Sequence, residues 1–309
     1  MKWIKKGRIF VNTGNFKGYP MYSQCPTPLV CDEYIRIFIS ARTTGIESHI
    51  VYIDVDKECP SKILNISDKP IISKGELGSF DENGMIPSYV FNKGIETYLY
   101  YSGWSRCSNV PYKNFTGLAI STDLGSSFKK YACGPVLGMN QYDTMSATSP
   151  WIIQNDNEFI ALYSTGTHWY MIDERLEHTY TLTYATSADA LSWNPSGKLI
   201  LDVKDNYEAI CKPTVIKVED KYHMWFSTRG SHGFRNATKN AYRIGYAVSD
   251  DLIHWCRNDA LSGIDVSEEG WDSEMICYPY IIQVNGKYLM FYNGNYFGKE
   301  GFGYAELDL

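Results

Sequence analysis

Acidic residues stand a few positions ahead of four regularly spaced prolines in this 309-residue chain. Phe80-Asp81-Glu82-Asn83-Gly84 precedes Pro87, and Tyr142-Asp143 precedes Pro150. Tyr207-Glu208 precedes Pro213, and Gly270-Trp271-Asp272-Ser273-Glu274 precedes Pro279. A fifth anchor, Pro28, has Ser23 and Gln24 in place of an acid. Carboxylates gathered at one place suit general acid–base chemistry, because crowded like charges let one carboxyl stay protonated while another stays ionised. Asp81 and Glu274 are the best pair for acid and base, with Asp272, Asp143 and Glu208 as the other candidates. Turn-forming at strand entrances is the alternative use of such acids. It explains any one of them better than the set, since turns elsewhere in the chain vary among Asn, Gly, Lys and Asp.

Cationic and aromatic side chains recur at a second position, after runs of apolar residues. Ser40-Ala41-Arg42, Ser102-Gly103-Trp104, Thr165-Gly166-Thr167-His168-Trp169, Ser227-Thr228-Arg229 and Asn293-Gly294-Asn295-Tyr296 are the five instances. Arg42, Arg229 and Lys212 could hold a carboxylate or phosphate, or could be internal ion-pair partners of the acids. Trp104 and Trp169 offer flat faces on which a sugar can stack, and His168 belongs to the same rim.

These positions must be set by a repeat. An apolar strand follows each anchoring proline: Pro28-Leu29-Val30, Pro87-Ser88-Tyr89-Val90, Pro150-Trp151-Ile152-Ile153, Pro213-Thr214-Val215-Ile216 and Pro279-Tyr280-Ile281-Ile282. The prolines lie 59, 63, 63 and 66 residues apart. A turn follows each strand, as at Asn92-Lys93-Gly94, Asn155-Asp156-Asn157 and Val284-Asn285-Gly286, and then a second, aromatic strand such as Thr97-Tyr98-Leu99-Tyr100-Tyr101. Each pair reads as a hairpin. Third strands such as Gly117-Leu118-Ala119-Ile120-Ser121 and Gly245-Tyr246-Ala247-Val248-Ser249 complete the unit, with Phe128, Trp193 and Trp255 on an outer strand. The fifth repeat ends one strand short, and Gly7-Arg8-Ile9-Phe10-Val11 is free to supply it.

Antiparallel units without helical periodicity between them fit an all-β, five-bladed β-propeller, one domain over residues 1–309, with the N-terminal strand closing the last blade. The first strand of a blade faces the axis, so the residues before the prolines are expected to line a central pocket.

Composition narrows the partners. A net charge of −6 without a basic stripe argues against nucleic acid. No apolar run reaches membrane-spanning length and no signal-like segment follows the basic start, so a cytoplasmic protein without a membrane partner is expected. Aromatic residues make up 15%, led by 25 Tyr, and suit both strands and sugar contact. The eight cysteines form no C-x-x-C pair and are expected as free thiols.

At the residues quoted, the chain resembles the superfamily of five-bladed propeller glycoside hydrolases and their relatives: arabinanases and β-xylosidases, invertases and levansucrases, and mannoside phosphorylases. Arg42-Thr43-Thr44-Gly45-Ile46-Glu47-Ser48-His49-Ile50, Phe80-Asp81-Glu82-Asn83-Gly84-Met85-Ile86-Pro87 and Gly270-Trp271-Asp272-Ser273-Glu274-Met275-Ile276 look like a group of bacterial glycosylase-like proteins associated with surface polysaccharides. The resemblance covers essentially the whole chain. It implies a carbohydrate-active enzyme that cleaves a glycosidic bond in a small sugar or oligosaccharide. The alternatives are phosphorolysis, action on a phosphorylated or nucleotide-activated sugar, and non-catalytic sugar binding. No cofactor is expected, although Asp81, Asp143 and Asp272 could hold a calcium ion, as in some related propellers. Where arabinanase-like enzymes place a general-base Asp on the first strand of blade one, this chain has Ser23, Gln24 and Cys25, and it lacks the invertase-like Asn-Asp-Pro-Asn motif. An inverting pair would stand roughly 6.5–9.5 Å apart; with phosphate held by Arg42, Arg229 and Lys212, one carboxylic acid would suffice.

Overall fold

Runs rich in Tyr, Ile, Val and Phe, broken by Asn-Gly, Asp-Glu and Asp-Lys turns, form strands because branched and aromatic side chains pack well on a pleated surface. The computed structural model describes residues 1–155, 158–236 and 239–308, and Asp156 and Asn157 of the third hairpin turn lie outside them. Among the described residues twenty strands follow in chain order: β1 (Lys2–Phe10), β2 (Met21–Val30), β3 (Tyr34–Arg42), β4 (Ser48–Asp56), β5 (Ile63–Ile66), β6 (Gly84–Lys93), β7 (Glu96–Arg106), β8 (Tyr112–Ser121), β9 (Lys129–Lys130) and β10 (Ser146–Asn155). The second half holds β11 (Glu158–Ile172), β12 (Arg175–Ser187), β13 (Asn194–Leu199), β14 (Ala209–Val218), β15 (Lys221–Arg229), β16 (Arg243–Ser249), β17 (Trp255–Arg257), β18 (Cys277–Val284), β19 (Lys287–Asn293) and β20 (Phe302–Asp308).

Antiparallel pairing groups them into units of four: β2 to β5, β6 to β9, β10 to β13, β14 to β17, and β18, β19 and β20 with β1. β1 lies antiparallel to β20, Lys2 opposite Asp308 and Phe10 opposite Phe302. Short parallel bridges join the first unit to the second at Ser48 and Gly84, and the second to the third at Asn114–Ser146 and Phe115–Ala147. Gly84 (φ +138) permits the first bridge, since a Cβ there would stand 2.3 to 2.5 Å from Ser48 atoms.

The first strand of every unit carries an extra residue opposite its partner, and β2 a second one between Met21 and Gln24. The irregularity falls between Gln24 and Thr27, Pro87 and Tyr89, Thr148 and Trp151, Cys211 and Thr214, and Cys277 and Tyr280. In four units the residue before a proline takes the left-handed conformation there: Cys25 (φ 55), Ser149 (φ 54), Lys212 (φ 54) and Tyr278 (φ 57). Such a bulge frees a backbone N–H from the ladder, and proline, which has none to donate, fits beside it. Each freed N–H goes to the neighbouring unit. Ser149 N donates to Ser102 Oγ (3.2 Å), Lys212 N to Ser164 Oγ (3.4 Å), Tyr278 N to Ser227 Oγ (2.7 Å) and Cys25 N to Asn293 Oδ1 (2.7 Å). Ser40 Oγ donates to the Met85 carbonyl (3.3 Å), so every unit is tied to the next and the fifth to the first. The proline of the first unit's bulge is therefore Pro26; Pro28, the anchor expected from sequence, sits in the regular ladder opposite Ile37.

Apolar clusters fill the spaces between units. Ile35, Ile37 and Ile39 of β3 pack with Phe291 of β19 and Phe302 of β20, and Leu162 of β11 packs with Met224 and Phe226 of β15. The eight cysteines are unpaired.

Candidate functional site

The bulges turn the first strands around a cavity of about 500 Å³ whose wall comes from all five units. Tyr22, Gln24, Cys25 and Arg42 line it from the first unit, and Ser102, Trp104, Tyr112 and Asn114 from the second. Ser146, Thr148, Ser164, Glu177, His178 and Tyr180 follow from the third. Cys211, Arg229, Phe234, Arg235 and Tyr242 belong to the fourth, Tyr278 and Phe297 to the fifth.

None of the five candidate acids is on that wall, which corrects the expectation that they share the pocket. The reason is local. Asp81, Asp143 and Asp272 accept hydrogen bonds from the hydroxyls of Tyr101 (3.1 Å), Tyr163 (2.8 Å) and Tyr292 (2.9 Å), in each case twenty residues downstream. Each tyrosine immediately precedes the side chain that faces the axis (Ser102, Ser164, Asn293), and strand alternation turns it to the other side. A buried phenol without a partner costs about 1–3 kcal/mol, so an acid is present wherever the tyrosine is. The fourth unit has Phe226 at this position, and its longer Glu208 reaches Thr228 Oγ1 (2.6 Å) and Arg257 (2.6 Å) instead. Burial alone would raise the Glu208 carboxyl, but hydrogen bonds from Arg257 and Thr228 outweigh it and hold it below the ordinary range. In the first unit Ile39 takes the tyrosine's place and no acid is present.

Cations complete the belt: Lys130 lies 2.5 Å from Asp81 and Lys5 of β1 lies 2.7 Å from Asp272. Glu274 stands apart from it. Its N–H donates to Asn295 Oδ1 (2.8 Å) and its Oε2 is buried without a partner. Asp81, Asp143 and Asp272 remain in separate networks, and among the described residues no three His, Cys, Asp or Glu side chains form a metal-sized group.

Of the expected binding residues, Arg42, Arg229 and Trp104 line the cavity; Lys212, Trp169 and His168 do not. Lys212 is buried below it, donates to the Ser88 carbonyl across the axis and lies 5.2 Å over Tyr280. Burial pushes its pKa down to about 8. Trp169 forms a second layer, stacked at 4.3 Å on His178, and His168 is exposed. Trp104 is fixed by Nε1–H donating to Ser48 Oγ (2.7 Å).

Sequence reading missed Glu177, His178, Tyr180, Asn114 and Arg235. The available signal was the polar run Glu177-His178-Thr179-Tyr180 in a third strand, opposite a second strand that runs fifteen residues where β15 and β19 run nine and seven. Among the described residues Glu177 is the one carboxylate that lines the cavity, and Arg235 pairs with it. Burial, with the Arg229 charge beside it, pushes His178 down to about 3, so its imidazole is neutral near pH 7. Among the described residues, seven buried side-chain N or O atoms lack a partner, and four of them belong to cavity-lining residues: Gln24 Oε1, Arg42 Nε, Asn114 Oδ1 and His178 Nε2. Native interiors satisfy such atoms with protein groups or ordered water, so their concentration on one wall makes it a polar surface with bonding capacity to spare.

No family model matches the chain. Among solved structures, a glycoside hydrolase superposes with a TM-score of 0.75 at 16% identity, covering 98% of this chain and 91% of that one. A thermostable family-43 glycoside hydrolase gives 0.69 at 17% identity, with 96% and 92% covered. An exo-1,5-α-L-arabinanase from a bovine ruminal metagenomic library gives 0.64 at 14% identity, with 95% and 94% covered. The fold is that of the propeller-type glycoside hydrolases. In sequence, the uncharacterized protein Rv1502 of Mycobacterium tuberculosis strain H37Rv is 33% identical over 311 residues, with 100% of both chains covered. The uncharacterized protein MT1551 of strain CDC 1551 matches to the same extent, and this chain belongs to one family with these mycobacterial proteins.

Proposed function

We propose that this chain is a five-bladed propeller, one domain over residues 1–309, that acts as a carbohydrate-active enzyme on a small sugar or oligosaccharide in its central cavity. The observation that carries the reading is the set of unpaired polar atoms on Gln24, Arg42, Asn114 and His178, which a sugar's hydroxyls can satisfy while Trp104 and the lining tyrosines cover its apolar faces. Glu177 is the proton-transfer group in this reading, since it is the carboxylate on the wall. Asp81, Asp143, Glu208 and Asp272 each brace the strands of their own blade.

A second reading is favoured by one observation: two-carboxylate hydrolysis needs a base as well as an acid, and Glu177 has no carboxylate partner on the wall. Phosphorolysis, or another transfer in which an anion replaces the activated water, needs only one. Incubating the purified protein with aryl glycosides and oligosaccharides, with and without inorganic phosphate, separates the two. Product without phosphate supports hydrolysis, and product only with phosphate supports transfer. Binding without turnover on any substrate would leave a sugar-binding propeller.

A further inference from the structure

Three arginines reach the cavity, and their surroundings differ. Arg235 is matched by Glu177. Arg229 is 5% exposed and already directs its donors to the carbonyls of His178 (2.7 Å) and Gly230 (3.1 Å) and to the hydroxyls of Tyr242 (3.3 Å) and Ser231 (3.4 Å), 3.8 Å over the Phe234 ring. The Arg42 side chain has neither an ion pair nor a hydrogen bond among the described residues. Its Nε is buried and unpaired, and its guanidinium lies 5.0 Å over Tyr22. Gln24, on the neighbouring strand and 5% exposed, also has its Oε1 unpaired.

A buried guanidinium nitrogen without an acceptor is costly, and a ligand that supplies the acceptor removes the cost. A sugar hydroxyl could accept the Nε–H bond but would leave the charge unmatched. The wall sets one carboxylate, Glu177, against three arginines, and the Lys212 ammonium group lies in the layer below. An oxyanion satisfies both demands, because a planar guanidinium presents two parallel donors to a carboxylate or phosphate. The first unit is also the one without an entrance acid, so nothing in the belt competes for Arg42.

We propose that the cavity's ligand carries an oxyanion seated on Arg42, either as a phosphate or carboxylate group of the sugar or as free phosphate bound beside a neutral sugar. This rests on the reading that the cavity takes a sugar. Calorimetric titration tests it with glucose, mannose and galactose, each as the free sugar, the 1-phosphate and the uronic acid, and with inorganic phosphate. Wild type is compared with Arg42→Gln and Arg42→Lys, each checked for an unchanged melting temperature. At least one anionic ligand should bind about tenfold or more tightly than its neutral parent, Arg42→Gln should erase that gain by weakening the anionic ligand far more than the neutral sugar, and Arg42→Lys should keep part of it. A preference for the 1-phosphate, the uronic acid or phosphate plus neutral sugar identifies the source of the oxyanion. Equal affinity for neutral and anionic sugars in wild type, or a gain that survives Arg42→Gln, overturns the proposal and leaves the carbohydrate reading intact. Phosphate binding that depends on Arg42, with no response to any sugar, overturns the carbohydrate reading instead; no response to any ligand overturns both.

Discussion

The acid belt and the cavity wall lie side by side on the same strands, yet their polar groups are in opposite conditions. Tyr101, Tyr163 and Tyr292 turn away from the axis and each meets a carboxylate, whereas Ser102, Ser164 and Asn293, one residue further on, turn toward it. In the belt, acids are matched by phenols and by Lys130, Lys5 or Arg257. On the wall, Arg42, Gln24, Asn114 and His178 hold unpaired atoms. Satisfied groups stabilise a fold, whereas unsatisfied ones in a cavity keep their bonding capacity for water or a ligand. The recurring carboxylates thus meet partners within the fold, while the residues that depart from the repeat face the cavity.

The sharpest break of this comparison is Glu177→Gln against Asp81→Asn. If proton transfer belongs to the wall, Glu177→Gln should lower turnover by about 10²–10⁴, while Asp81→Asn keeps turnover per folded molecule near wild type. The opposite pattern in steady-state rates would return catalysis to the belt.

Next in size is the stability of the belt itself. Asp272→Ala strands the Tyr292 hydroxyl and takes the counter-ion from Lys5, whose ammonium group keeps only its bond to Ser267 Oγ, and should cost about 2 kcal/mol in urea unfolding. Adding Tyr292→Phe removes the orphaned hydroxyl and should recover part of the loss. A double variant no more stable than the single one would show that the phenol–carboxylate bond is not what the acid serves.

Lys212 tests the axis below the cavity through pH. Its folded pKa of about 8 lies below the ordinary lysine value, so between the two the unfolded chain binds more protons and stability rises with pH. Relative to Lys212→Met, wild type should gain about 2 kcal/mol between about pH 8 and about pH 9.5, measured by urea unfolding. Parallel stability curves would mean that the ammonium group is not desolvated.

The smallest expected effect concerns the shape of the wall. A Cβ on Gly166 would stand 2.4 Å from His178 Nε2 and 2.7 Å from Ser146 Oγ. Gly166→Ala should therefore displace the imidazole, costing about 1 kcal/mol of stability and weakening ligand binding several-fold. Unchanged affinity would remove His178 from the binding surface.

The repeat of prolines, hairpins and third strands was legible because turn chemistry and the period-two pattern are local. Arg42, Arg229 and Trp104 were legible as ends of second strands. Pro26 was missed for Pro28 because both begin plausible strands and only the bulge at Cys25 distinguishes them. The constant spacing of twenty between Asp81 and Tyr101, Asp143 and Tyr163, and Asp272 and Tyr292 was present in the sequence. Its meaning as a hydrogen bond required knowing which way each tyrosine turns.

By itself the sequence determined the strands, their grouping by repeat and the acids at the strand entrances, since these follow from the preferences of residues close together in the chain. Tertiary structure decided which of two adjacent side chains sees the axis, because alternation along a strand fixes only that the two point to opposite sides and the packing of the units decides which side is which. It also decided that Glu177, Arg42, Asn114 and His178 share a wall, since they come from three different units and no local pattern encodes contact between them.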